Sequence, residues 1–327
     1  MKVLGLGNAL VDLLIQLDND QIITQLGFPK GSMQLIKQTE IPLITSLTKN
    51  LPILMASGGS AANTIHGLSK LGVSCGYLGK VGKEELGKFY ADDFKKAGVT
   101  TYLKKSETVT GRAYTLITPD SERTFATYLG AAIELRSNEI EEEIIAKYNL
   151  IHIEGYMVQS AALIEKAMKI AKQKKIKISL DLASFNVVES NLDLLKRLIP
   201  EYVDILFANE DEAKAYTNKL PAEALNEMAK QVEVAVVKVG KEGSWVQSGE
   251  NSVKIDIAPV NAIDTTGAGD QYAAGFLSGY LNNQGLEQCG KLGSLLAGKV
   301  IKNYGARIPD ELWHDIHKSV KSIIATD

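Results

Sequence analysis

Hydrophobic and polar positions alternate at two different periods along this chain, and the switches between them mark the expected elements. Residues 2–8 form an apolar, glycine-containing run that predicts a buried strand. Residues 11–18 and 32–36 predict short exposed strands on either side of a turn at 27–31. Helices are predicted over 39–49 and 59–71, with a strand at 52–56 between them. A strand at 73–81, a helix at 84–97 and a strand at 99–104 follow, and 110–118 with 123–128 reads as a hairpin. From 138 the alternation is regular: helix 138–147, strand 149–153, helix 160–174, strand 176–181, helix 190–199, strand 203–207, helix 210–217 and strand 233–239. The last third reads as helices over 268–283, 286–303 and 310–324.

This order predicts an α/β fold with three layers, a mostly parallel sheet carrying helices on both faces. The strands near 11–18, 32–36, 99–104 and 110–128 break the alternation and predict a small second sheet. A lid over the carboxyl ends of the core strands is its natural place. The expected organisation is a single domain over 1–327, with lid insertions at about 11–37 and 99–128.

Composition narrows the function classes. The 327 residues suffice for a sizeable core, and the net charge of −3 offers no attraction to nucleic acid or an anionic membrane. Two distant cysteines, Cys75 and Cys289, indicate neither a disulfide framework nor a cysteine metal site. There is no apolar run of membrane-spanning length, and Met1 leads at once into a strand-like run without a signal peptide. A cytoplasmic protein acting on a small molecule is expected, and both a monomer and a homodimer stay open.

The most informative stretch is Asp264-Thr265-Thr266-Gly267-Ala268-Gly269-Asp270, preceded by a hydrophobic segment and followed by a helical one. Its glycines lie where a loop becomes a helix N-terminus, a place where free N–H groups and the helix dipole favour an anion such as phosphate. A carboxylate there, Asp270, repels an anion and is useful as a proton acceptor facing an attacking group; it is also an ordinary first-turn aspartate. Gly58-Gly59-Ser60-Ala61-Ala62-Asn63 opens a helix with paired glycines, and Asn63 can offer donor and acceptor to a polyol, although a tight strand-to-helix turn has the same appearance. Asn209-Glu210-Asp211-Glu212 follows a strand and suits either water-coordinated Mg²⁺ or an acidic helix start. Asn8 and Asp12 leave the first strand, where a carboxylate suits sugar hydroxyls or a turn.

Other patterns fail. Gly5-Leu6-Gly7-Asn8-Ala9-Leu10 lacks the third glycine and the following helix of a dinucleotide fingerprint. The stretch Gly82 to Phe89 imitates a P-loop but has Phe89 in place of the Mg²⁺-binding hydroxyl. His314 and His317 have no evident third metal ligand, and Lys172 to Lys177 reads as the polar end of a helix.

In order along the chain, Gly-Asn-x-x-x-Asp (7–12), Gly-Gly-x-x-x-Asn (58–63), Asn-x-x-Glu (209–212) and the heptapeptide 264–270 resemble the ribokinase-like (PfkB) carbohydrate and nucleoside kinases over essentially the whole length. The start of the chain and the segment Tyr202 to Glu210 look most like adenosine kinases. The resemblance implies a ribokinase-like core with a β-lid, and transfer of the γ-phosphoryl of Mg-ATP to a primary hydroxymethyl of a ribose-type substrate. It implies Asp270 as base, with the Gly267, Ala268 and Gly269 amides as an anion hole. Asn8, Asp12, Gly58, Gly59 and Asn63 would contact the sugar. Arg123, Asn209, Thr265, Gly240 and Gly243 would serve ATP. Asn209 and Glu212 would organise Mg²⁺ through water, and relatives place a monovalent cation such as K⁺ beside Asp264. Tyr156 matches an aromatic position that stacks on the base in adenosine kinases, though packing on the lid or core would explain it equally. Adenosine or a related nucleoside is therefore the expected substrate. A free neutral sugar of the ribose or fructose type is the alternative, and a non-catalytic binding protein on the same fold a further one. Residues 181–186 and the strand 11–17 carry no basic side chain for a phosphorylated or acidic sugar.

Overall fold

A computed structural model describes residues 1–257 and 260–325. The first part of the chain runs β1 (Lys2–Leu6), β2 (Leu10–Gln16), α1 (Gln21–Leu26), β3 (Met33–Leu35), α2 (Ile41–Thr48), β4 (Ile53–Gly58) and α3 (Ser60–Lys70). Then come β5 (Ser74–Gly82), α4 (Glu85–Lys96), β6 (Thr100–Ser106), β7 (Gly111–Ile117) and β8 (Arg123–Tyr128). The regular middle holds α5 (Glu142–Ile145), β9 (Leu150–Glu154), α6 (Ala161–Gln173), β10 (Lys177–Asp181), α7 (Phe185–Ser190), α8 (Leu192–Tyr202), β11 (Ile205–Asn209) and α9 (Glu210–Thr217). It closes with α10 (Pro221–Ala229), β12 (Val234–Lys238), β13 (Ser244–Ser248), β14 (Asn251–Ile255), α11 (Ala268–Leu281), α12 (Leu286–Val300) and α13 (Trp313–Ile324).

Two sheets organise these elements. The large one has nine strands in the order β14-β13-β12-β11-β10-β9-β1-β5-β6. Its strands from β12 to β6 are parallel, and β13 and β14 fold back antiparallel at one edge. The central strands are buried on both faces, which explains their continuous apolar runs. One hydrophobic cluster covers one face with residues of α3, α4, α11 and α12; another covers the opposite face with α6, α8 and α10. The fold is thus the expected three-layer α/β arrangement. The second sheet has five strands in the order β3-β8-β7-β2-β4.

Several elements depart from the sequence expectations. The strand expected at 99–104 among the lid strands is β6, which pairs in parallel with β5 at the edge of the large sheet. Its side chains are half-exposed on both faces, so it lacks the buried run that marks core strands. Conversely, the strand expected at 52–56 between two helices is β4, which pairs antiparallel with β2 in the small sheet and exposes Ile53, Leu54 and Met55. The helix expected over 138–147 shrinks to a 3₁₀ turn at Ser137–Glu139 and the single turn of α5; Ile140, Ile144 and Ile145 still bury the apolar stripe, but Ile140 and Glu141 are extended and break the helix between the two turns. Helices α1, α7 and α10 and the β13–β14 hairpin have no counterpart in the expectations. The apolar segment expected ahead of Asp264 falls partly on residues 258 and 259, which lie outside the described residues.

Helix α11 is central to the site and is buried almost all round, with Gln271 to Gly279 and Leu281 all buried. Phe276 locks it to the sheet: its ring meets Phe207 of β11 edge-on at 5.4 Å and stacks on Tyr272 at 6.3 Å. Phe276→Ala is expected to lower the unfolding free energy by about 3–5 kcal/mol and Phe276→Leu by under about 1.5 kcal/mol, read as shifts in urea midpoint. Equal small losses from both would show that this ring does not anchor the helix.

Candidate active site

Five adjacent parallel strands each end on, or two residues before, a polar residue at the same edge of the sheet. Asn8 follows β1, Glu154 ends β9, Asp181 ends β10, Asn209 ends β11 and Lys238 ends β12. Carboxyl ends of parallel strands are where ligands bind in such sheets. A cavity of about 360 Å³ opens there, walled by the strand ends, the N-termini of α3 and α11, and residues of the small sheet.

Asp270 occupies the first turn of α11 and lines this cavity. Ser60 Oγ donates to its Oδ1 at 2.8 Å and Asn63 Nδ2 to its Oδ2 at 2.9 Å. Thr64 Oγ1 donates to its backbone carbonyl at 3.1 Å, so three residues of α3 bind one residue of α11. Burial pushes the Asp270 carboxyl up to about 6, against the opposing pull of the Asn63 and Ser60 donors. Asn63 leaves its own Oδ1 buried without a hydrogen-bond partner among the described residues, as does Asn8. Asn63 lines the cavity, so its free Oδ1 suits a polyhydroxylated ligand; Asn8, expected at the sugar, is not among the described residues that line it.

Gly267 precedes α11 at φ 74°, and a Cβ there would fall 2.6 Å from Ala306; this is a left-handed cap that a larger residue cannot reproduce. Thr265, Gly267, Ala268 and Gly269 all line the cavity, at the end of a 14-residue helix whose first amides have no intrahelical acceptor. Gly59 sits at φ 104° with Asn8 O where its Cβ would be, which turns the chain from β4 into α3. Beside it, Gly58 lets the Asp12 carboxylate approach its Cα. Asp12 comes from β2 of the small sheet, and burial pushes it up to about 7, with Arg307 opposing and Asp270 adding to the shift.

Glu154 was not signalled by any motif, yet it sets this geometry. Its Oε1 accepts from Asn8 N and Nδ2, both at 2.8 Å, and its Oε2 accepts from Ala61 N at 3.0 Å. It is 1% exposed, and burial pushes it up to about 7. Lys238 and Asp181 were also missed; Lys238 Nζ donates to Asp181 Oδ2 at 2.9 Å, and both line the cavity. A polar or charged residue closing an apolar strand run was the available signal for Glu154, Asp181 and Lys238, as it was for the amide of Asn209 at the end of its strand.

Other expected residues take different places. Arg123, expected at the phosphates, forms an ion pair with Asp264. Asp264, expected beside a monovalent cation, is 1% exposed and also accepts from Thr266 N and Gly305 N at 2.8 Å each, so the arginine already balances its charge. Asn209 lines the cavity, but Glu212 stands behind it as a helix cap. Asn209 N and Nδ2 donate to the two Glu212 carboxylate oxygens, and Glu212 N donates back to Asn209 Oδ1, all at 2.8 Å. Among the described residues no group of three or more His, Cys, Asp or Glu is placed to hold a metal. That donor set fits only an ion carried by phosphates that keeps its own waters, as Mg²⁺ does. Gly240 and Gly243 form the β12–β13 turn and do not line the cavity. Tyr156, 36% exposed, lines it together with Phe125, Leu10 and Leu14. Among the described residues no helix is long and apolar enough to cross a membrane.

Fold and site together define a two-sheet α/β enzyme with an anion-binding helix start and an adjacent carboxylate. The description "pfkB family carbohydrate kinase" matches residues 34–313, and the chain belongs to that family. It is 32% identical over 249 residues to an uncharacterized sugar kinase of Archaeoglobus fulgidus, covering 74% of this chain and 96% of that protein. It is 30% identical over 280 residues to a 5-dehydro-2-deoxygluconokinase of Clostridium botulinum, covering 79% of this chain and 82% of that one. The crystal structure of adenosine kinase from Sinorhizobium meliloti superposes with a TM-score of 0.86 at 34% identity, over 97% of this chain and 99% of that one. The protein is a sugar or nucleoside kinase, and ATP use with Mg²⁺ follows from the family.

The Glu154 carboxyl is held near 7 in the folded chain and starts from an ordinary value of 4.5. Raising the pH through that window deprotonates the unfolded chain first, so the stability present at acid pH is lost as pH passes the folded value. Glu154→Gln is expected to make the melting temperature fall less between about pH 4.5 and 7.5 than it does in the parent. Parallel pH profiles for the two proteins would show that Glu154 titrates normally.

Proposed function

We propose that this kinase moves the γ-phosphoryl group of ATP onto the primary hydroxymethyl of a ribonucleoside, with adenosine preferred. The observation that carries this reading is Asp270, fixed by Ser60 and Asn63 at the α11 N-terminus inside the cavity. In the proposed reaction the hydroxyl oxygen forms the new bond to phosphorus, the bond to the departing ADP oxygen breaks with its electron pair, and the hydroxyl proton passes to Asp270. Phosphoryl transfer has a loose transition state, so placement and charge stabilisation outweigh base strength. The Gly267, Ala268 and Gly269 amides would face the transferred group, in the manner of an oxyanion hole. Asp12 and Asn63 would hold ribose hydroxyls, a role that the free Oδ1 of Asn63 supports, and Asn8, bound to Glu154, would brace the site from behind. Mg²⁺ would supply charge neutralisation when bound; Asn209, its amide fixed by Glu212, would hold it through water.

The nucleoside preference rests on the apolar wall. Tyr156, Phe125, Leu10 and Leu14 give a flat base a surface to cover, whereas a free sugar has little use for one. Adenosine is also the substrate named for the S. meliloti enzyme.

ADP release should be measured with Mg-ATP against adenosine, other ribonucleosides, ribose and fructose. The expected order places adenosine well above the free sugars, and Asp270→Asn should lower kcat about 10²–10⁴-fold with little change in KM. Turnover on a free sugar alone would discard the nucleoside assignment. With Asp270 near 6, kcat/KM should decline as pH falls below that value. Ser60→Ala removes a donor to the charged carboxylate, so the acid limb should move to higher pH. An unmoved limb would assign it to another group.

A further inference from the structure

Charge is unevenly distributed around the cavity. The carboxylates of Asp12, Asp181, Asp264 and Asp270 line it, and among the described lining residues Lys238 carries the sole side-chain cation. Two guanidinium groups of adjoining elements are engaged elsewhere, Arg123 on Asp264 and Arg307 on Asp93 and Ser57. Lys238 stands at the end of β12 with a 15% exposed side chain, and Asp181, at the end of β10, holds it at 2.9 Å. Asp181 is itself fixed, because Ala183 N donates to its other oxygen at 3.1 Å. A Cβ built on Gly269 would lie 3.0 Å from Lys238 Nζ. The ammonium therefore rests against the first turn of α11, beside the amides that face the cavity.

We propose that Lys238 is a catalytic residue, the fixed positive charge that meets the phosphoryl oxygens at the α11 N-terminus, with Asp181 as the residue that positions it. The inference rests on the kinase reading above. An ammonium is a compact point charge with three donors, and Asp181 accepts from one of them. A helix start supplies only about half a unit charge, which falls short of a polyphosphate's needs. Burial opposes the charge on Lys238, but Asp181 and Glu212 outweigh it, so the group stays an ammonium. Lys238 forms and breaks no covalent bond in the step; it holds charge that spreads over the phosphoryl oxygens while the proton goes to Asp270.

A purely structural role makes a different forecast. If Lys238 serves only to neutralise Asp181, removing both charges together should repair the damage of removing one. Three proteins separate the two: Lys238→Met, Lys238→Arg, and Asp181→Asn combined with Lys238→Met. Each is compared with the parent in kcat, in KM, in melting temperature, and in calorimetric affinity for Mg-ATP and Mg-ADP. The expected result is a fall in kcat of about 10²–10³-fold in Lys238→Met, the size seen for a lost oxyanion donor. Its preference for Mg-ATP over Mg-ADP should vanish, Lys238→Arg should restore part of both, and the double variant should remain as slow and as indifferent. If Lys238→Met does not fold, the charge-balanced double variant decides alone. Recovery of turnover and nucleotide preference in the double variant would overturn the proposal, as would a Lys238→Met protein that behaves like the parent. A parent that binds Mg-ATP more tightly than Mg-ADP yet phosphorylates no acceptor would defeat the kinase reading, and the affinity ratio would still judge Lys238. A parent with no such preference would overturn the Lys238 assignment itself.

Discussion

A carboxylate withdrawn from water must be given donors, and in this protein the donors for Asp270 decide where two helices sit. Ser60 and Asn63 reach it from α3, while its own backbone begins α11. Helix α3 in turn is fixed at its start by Glu154, which accepts from Ala61 N and from both nitrogens of Asn8. One line of hydrogen bonds therefore runs from the end of β9 through α3 to the first turn of α11. Each link is short, buried at Glu154 and partly buried at Asp270, so displacement at the strand end is passed on to the carboxylate rather than absorbed.

The same low-polarity setting governs the charges. Burial raises the carboxyls of Asp12, Glu154, Glu212 and Asp270 together, and each adds to the cost of ionising others nearby. A phosphate entering such a place meets negative side chains, so its reception depends on the α11 amides and on whatever positive charge stands beside them. Arg123 is held by Asp264 and joins the small sheet to the loop before α11. That pairing links the small sheet to the core by a charge contact on the very segment that lines the cavity.

Much of this was legible in the sequence. The α/β alternation, the helix start at 267–270 and the glycine pair at 58–59 all follow from local patterns that the structure keeps. What was not legible depends on which strands pair. Strands β4 and β6 are half-exposed edges, and their sequences do not say which sheet they join. Nor could Arg123 be placed from its own neighbourhood, because its partner lies 141 positions away. Glu154, Asp181 and Lys238 each close an ordinary apolar run, and only the parallel order of β9 to β12 gathers them at one edge. Asn209 and Glu212 show the converse: the spacing was visible, but the reciprocal cap that it forms occupies the carboxylate expected near the metal.

Where the phosphoryl group goes, and whether Asp270 sends it there, can be read by ³¹P NMR of a reaction containing the protein, Mg-ATP and adenosine. A phosphomonoester signal, coupled to the protons of a primary carbon, should grow as the γ-phosphate signal declines, and Asp270→Asn should slow this growth about 10²–10⁴-fold. A signal for inorganic phosphate alone, or an ester on a secondary hydroxyl, would contradict this assignment.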